Sequence, residues 1–235
     1  MEFSRLFFLL ILCCLFPDVH AGISVGPIVV DLTSKNKDAE IAVRNLDINH
    51  QAYIEVIPYH LANPARLNSA KIRVRNPEKD GLMVFPAKLV LLPGQTQFVR
   101  VVKTASKIPS EKVFEIDFIP KIATHLVSQK SPEGAVLGIR VIVGYGARVT
   151  LRPDKPLPSI SIKRKANELL IVNTGNASVR ITSCTQTIAG QKKEIPLPAY
   201  TLFAGQTLKK QLVQLTPVNL QASFMDKSLG SFTTD

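Results

Sequence analysis

G-I-R-V-I-V-G-Y-G-A-R-V-T-L-R-P runs from Gly138 to Pro153 and is the most regularly patterned segment of the chain. Ile139, Val141, Val143 and Tyr145 recur at every second position, so in an extended segment they share one face while Arg140 and Gly144 fall on the other. This is the pattern of a long β-strand, and Pro153 stops it. A polar loop, Lys121 to Gly134, precedes it, and a proline-rich run follows. A strand bounded in this way suits the edge of a sheet. Most proteins blunt such edges, because unpaired N–H and C=O groups recruit other chains. This edge is long and apolar, and one reading is that recruitment is its purpose. The other is that the same three aliphatics are simply sandwich core, which from pattern alone is the commoner outcome.

Upstream, strand patterns dominate. Ile23 to Leu32 reads as one alternating strand, followed by Glu40 to Arg44 and Ala52 to Tyr59. Asn45 to Asn49 and Asn76 to Gly81 read as turns, the second leading into Leu82 to Phe85. Leu89 to Leu92 and Gln97 to Val102 flank Pro93-Gly94 and are expected to form a hairpin. Proline presets the first corner of a type II turn and glycine accepts the positive φ of the second. Val113 to Ile119 alternates again before Pro120. Short strands at this spacing, without a convincing amphipathic helix, predict a β-sandwich.

Downstream, Leu151 to Pro158 (L-R-P-D-K-P-L-P) reads as a stiff, extended joint. A second all-β unit follows, with strands expected at Leu169 to Val172, Val179 to Thr187, Lys192 to Leu197, Gly205 to Leu212 and Ala222 to Phe232. The turn between its first strong strands is Asn173-Thr174-Gly175-Asn176. The domain expectation is thus a leader at 1–21, a first domain at 22–152 and a second at 153–235.

Residues 1–21 have the features of a secretory signal: Arg5, the apolar run Leu6 to Phe16, and Val19-His20-Ala21 before Gly22. The run is too short for an ordinary membrane-spanning helix of about 20 residues, so no membrane insertion of the mature chain is expected. Cys13 and Cys14 leave with the leader. Cys184 then stands alone, with a buried hydrophobe favoured over a reactive thiol. The formal charge is +11, and removal of Glu2, Arg5 and Asp18 raises it by one. Such a balance invites nucleic acid. The cations are spread along the chain, however, tryptophan is absent and aromatics make up 6% of residues, so no base-stacking platform is read.

The residues resemble the PapD-like periplasmic chaperones of the chaperone–usher class. The resemblance covers nearly the whole mature chain. It rests on Ile23-Ser24-Val25-Gly26-Pro27, on V-F-P-A-K-L-V-L-L-P-G-Q-T-Q-F-V-R-V-V at Val84 to Val102, and on the strand ending Phe118-Ile119-Pro120. The long strand ending at Pro153 and L-L-I-V-N-T-G-N-A-S-V-R-I in the second unit complete it. The missing tryptophan and the divergent first strand look more like the alternate-class branch. The resemblance implies two immunoglobulin-like sandwiches in an L-shaped arrangement. It also implies donor-strand complementation, in which the chaperone lends its long strand to a pilin subunit that lacks its last one. On that alignment Ile139, Val141 and Val143 are the donor side chains. Fully buried, each contributes roughly 1.5–3 kcal/mol.

The family also holds the subunit's C-terminal carboxylate with two basic residues. Arg148 matches the position on the long strand, and its planar fork suits a carboxylate. Val143 and Arg148 are five apart, so a regular strand points them to opposite faces unless Gly144 or Gly146 hosts a bulge. At the first-strand position this chain has Val29 where the family has an arginine, leaving Lys35 or Arg100 as candidate substitutes.

Sharper motifs have bland readings. Gly22-Ile23-Ser24-Val25-Gly26 fits the nucleophile-elbow pattern but opens the mature chain ahead of another strand, so no catalytic site is expected there. His50, His60 and His125 lack metal-ligand spacing, and no metal or cofactor is expected. Glu115 and Asp117 lie two apart on one strand and read as a solvated face. Asn176-Ala177-Ser178 is a sequon without expected use in a bacterial host.

The expectation is an all-β, non-enzymatic periplasmic chaperone whose partners are pilin or fimbrial subunits and an outer-membrane usher. A self-capping homodimer is possible through the exposed strand. The alternative is an exported immunoglobulin-like structural or adhesive component of a surface fibre.

Overall fold

A computed structural model describes residues 22–65, 69–121 and 143–234. The leader, His125, the two donor positions Ile139 and Val141, and all but the first residue of the loop from 121 to 134 lie outside the described residues. Among the described residues no helix is long and apolar enough to cross a membrane, and no three His, Cys, Asp or Glu side chains gather as a metal site.

The first half of the chain folds into two packed sheets. One contains β1 (Ile23–Gly26), β3 (Asp38–Asn45), β8 (Thr96–Lys103) and β6 (Leu82–Phe85), hydrogen-bonded in the order β1-β3-β8-β6. The other contains β2 (Val29–Leu32), β10 (Tyr145–Leu151), β9 (Lys112–Lys121), β4 (Ala52–Leu61) and β5 (Lys71–Arg73), in the order β2-β10-β9-β4-β5, with β7 (Lys88–Leu91) also on β4. Period-two alternation decides which face meets the core. Phe114, Ile116 and Phe118 of β9 and Ala147, Val149 and Leu151 of β10 are fully buried against Val99 and Val101 of β8.

Two expectations for this half need correction. Ile23 to Leu32 is two strands in different sheets. β1 pairs antiparallel with β3, whereas β2 pairs in parallel with β10. The chain changes sheets at the cis Gly26–Pro27 bond, where proline has no N–H with which to continue a ladder. The Pro93-Gly94 turn forms as expected, with Gly94 at φ +69° and Gln95 N–H donating to Leu92 O at 3.0 Å. It is not a hairpin, however: β7 pairs with β4, and the turn carries the chain across the core from one sheet to the other. The expected turn at Asn76 to Gly81 contains a one-turn helix, α1 (Pro77–Asp80), capped by the Asn76 side chain and closed by left-handed Gly81.

The second half repeats the layered plan. One sheet has β11 (Ile160–Lys165), β12 (Glu168–Asn173) and β16 (Thr207–Gln211). The other has β14 (Gln191–Glu194), β13 (Val179–Ile188), β17 (Val218–Phe224) and β18 (Lys227–Thr233), with β15 (Thr201–Leu202) on β13. The expected strand Ala222 to Phe232 is the tip and return of a hairpin. It turns at Met225-Asp226, both at positive φ, where the usual Asn-Gly or Asp-Gly signal is missing. Cys184 is buried in this core, and burial pushes its thiol up to about 11.

Candidate functional site

β10 is paired unevenly. On one side it runs in register with β9 along its whole length, from Tyr145↔Phe118 to Leu151↔Lys112. On the other, β2 reaches only from Arg148↔Val29 to Leu151↔Leu32. Tyr145, Gly146 and Ala147 therefore have no strand on that side among the described residues. Arg148 N–H donates to Ile28 O at 2.8 Å. Successive residues in a strand point their backbone groups to opposite sides, so Gly146 directs its N–H and C=O to the open side. Ile28, Val29 and Val143 stand beside this opening with 55%, 64% and 50% of their surface exposed. That is an apolar apron next to an unpaired edge.

The register from Tyr145 to Leu151 is unbroken, so Gly146 hosts no bulge. Ala147, Val149 and Leu151 point inward and Arg148 points out of the sandwich, onto the face shared with the second half of the chain. On this face five strands place Val29, Arg148, Glu115, Tyr59 and Arg73 in one row. The Arg148 guanidinium lies 5.9 Å from the centre of the Phe203 ring, and Phe203 is buried with Leu61 and Val113. Beside this contact is a cleft of about 350 Å³ that includes His60, Asn63, Glu111, Ala204 and Gln206 in its lining.

Glu115 and Asp117 share this face as expected, but they are not merely solvated. Lys71 Nζ lies 2.9 Å from Glu115 Oε1 and 3.0 Å from Asp117 Oδ2, and 5.5 Å from the centre of the Tyr59 ring. Burial raises the carboxyl of Asp117 above its ordinary range, with Lys71 acting against it. Burial opposes the charge on Lys71, but its bonds to the two carboxylates outweigh this and raise its pKa. Sequence reasoning missed Lys71, because a three-residue exposed strand carries no periodicity.

The two halves meet at Glu111, which was also missed. Its side chain, 2% exposed, accepts from Arg152 Nη1 at 2.9 Å, Ser178 N–H at 2.7 Å and Ala204 N–H at 3.0 Å. Arg152 also pairs with Asp31 at 3.1 Å and stacks over Phe224. Asn176 Nδ2 donates to Pro109 O and Lys155 O, which ties the joint to both halves. Arg100, a candidate substitute for the missing first-strand cation, is not near Arg148. It lies on the outer face of the opposite sheet, paired with Asp38.

Two immunoglobulin-like sandwiches, with an open strand edge beside a shared cleft, make up the described chain. Solved structures carry this fold. A chain from a chaperone–tip adhesin complex vital for activation of CFA/I fimbriae biogenesis matches with a TM-score of 0.71 at 18% identity, over 91% of this chain and 97% of that one. The class 5 fimbriae chaperone CfaA matches at 0.70 and 17%, over 91% and 99%. The SafB structure, solved with the Salmonella enterica pilin SafA, matches at 0.57 and 14%, over 92% and 97%. The fold of this chain is that of the fimbrial chaperones. Compared with family models and with curated proteins, the sequence matches none.

Proposed function

We propose that this chain is a periplasmic, non-enzymatic chaperone that binds pilin or fimbrial subunits by lending them the strand that runs into β10, and hands them to an outer-membrane usher. The observation that carries the reading is the half-open β10, whose free backbone edge at Gly146 lies beside exposed Ile28, Val29 and Val143. A subunit strand laid there gains main-chain hydrogen bonds and apolar burial. Ile139, Val141 and Val143 fill its groove, and Arg148 receives its terminal carboxylate. Complexes such as SafB with the pilin SafA and CsuC with the tip subunit CsuE support this reading by likeness of fold. In the free chaperone the same edge pairs with a second copy. Domain boundaries at 22–152 and 153–235 place the cleft between the two units.

The test is periplasmic co-expression with pilin-like proteins of the same source, followed by affinity capture. The expected result is a soluble one-to-one complex that is lost in Val141→Glu and Val143→Glu chains that still fold. Recovery of the wild-type chain within the surface fibre, with no subunit captured, sinks the proposal in favour of a structural fibre component.

A further inference from the structure

Arg148 and Glu115 are directly opposed across the β9–β10 ladder, on the cleft side of the sheet. Opposite charges so placed attract, and arginine with carboxylate makes the strongest of side-chain hydrogen-bonded pairs. Yet the pair is not made. The Glu115 carboxylate is bound by Lys71 at 2.9 Å. It leans over Gly146, where a side chain would begin 2.9 Å from Oε1. Glycine leaves the berth into which Glu115 folds, two residues along the strand from Arg148. The same ammonium holds Asp117, at 3.1 Å from Oδ1 and 3.0 Å from Oδ2. Among the described residues the Arg148 guanidinium has no carboxylate partner. It is exposed and rests near the Phe203 ring, which borders the cleft.

Three cations, Lys71, Arg73 and Arg148, share this face with Glu115 and Asp117. Lys71 takes both carboxylates, and Arg148 holds neither. An arginine left without a carboxylate partner, opposite a carboxylate that a third residue holds, is an anion site kept vacant by that residue. We infer that Lys71 is the positioning residue of this cleft: it holds Glu115 over Gly146 and so keeps Arg148 open for a carboxylate supplied by a bound chain. This deepens the chaperone reading and rests on it for the identity of the bound chain, but not for the chemistry at Arg148.

The experiment uses the full mature chain and sodium acetate as the carboxylate probe, at constant ionic strength, following the Arg148 Nε–H resonance by NMR. In wild type, acetate shifts that resonance. In Lys71→Met, Glu115 is released to Arg148, and the affinity for acetate falls at least about five-fold, the factor that roughly 1 kcal/mol of competing internal ion pair removes. In Lys71→Met/Glu115→Gln the competitor is gone and the acetate response returns. A merely structural lysine would lower stability without weakening acetate binding at Arg148. An unchanged response in Lys71→Met, no recovery in the double variant, or no response in wild type each overturns the inference. Failure to capture any subunit while this pattern holds removes the chaperone reading and leaves the role of Lys71 standing. Capture without the pattern does the reverse.

Discussion

Arg148 stands directly opposite Val29 in the parallel ladder between β10 and β2, and immediately before that pair the ladder ends. The last covered position of β10 is therefore also the position of its outward-facing cation. An added chain would continue where β2 stops and bring its end beside the guanidinium. Val29 is 64% exposed, and neighbouring strands lie about 4.8 Å apart, so its side chain borders the same spot. A Val29→Glu chain is expected to fill the site from within by pairing with Arg148. Capture of subunits should drop to the level of Arg148→Ala and recover partly at high salt, which screens exposed charges. Stability should stay within about 0.5 kcal/mol, as for surface changes generally. Wild-type capture by Val29→Glu would show that Arg148 takes no part.

Glu111 joins the two halves through one buried carboxylate with three donors. Glu111→Ala leaves two N–H groups unsatisfied and Arg152 short of its buried partner. Breaking a buried pair by removing one side costs about 3–5 kcal/mol. Urea denaturation should show a loss in that range, with the single unfolding transition splitting in two as the halves uncouple. A loss below about 1 kcal/mol would mean that water replaces the carboxylate without penalty.

What was legible in the sequence followed distance along the chain. Pro93-Gly94 is a local signal, and its turn forms. Arg148 lies on the outward face, the direction that parity within a regular strand gives it. The partner of β7 was not legible, because a proline–glycine turn serves equally to close a hairpin or to cross between sheets. Nothing local in P-S-E-K marks Glu111. Its burial comes from Ser178 and Ala204, far downstream. Lys71 of β5 gains meaning only when β4 joins that strand to β9 and β10. Roles that depend on three strands at once leave no pattern in any one of them.

Cys184 is expected to be inert in the folded chain. It has no exposed surface, and burial raises its thiol to about 11, so the reactive thiolate is scarce at neutral pH. A thiol reagent such as dithionitrobenzoate should label none of the native protein at pH 8 within minutes, and one equivalent of the mature chain in denaturant. Rapid native labelling would mean that the second sandwich opens locally around β13.

Asp154 gives the joint an acid-sensitive contact. Its carboxylate accepts from Lys103 Nζ at 2.8 Å and from Ile108 N–H at 3.1 Å. The Lys103 bond first, and the backbone bond next, hold its carboxyl below the ordinary 3.8. A carboxyl whose pKa is lower folded than unfolded binds protons more readily when unfolded. Its stabilisation is therefore complete above 3.8 and fades as pH falls through the lower folded value. Lys103, only 3% exposed in its side chain, is then left buried without a counter-charge. Asp154→Asn should be less stable than wild type in urea at pH 7, and the gap between the two chains should close as the pH is lowered from 4 toward 2. A gap independent of pH would show that Asp154 acts through its hydrogen-bonding shape alone.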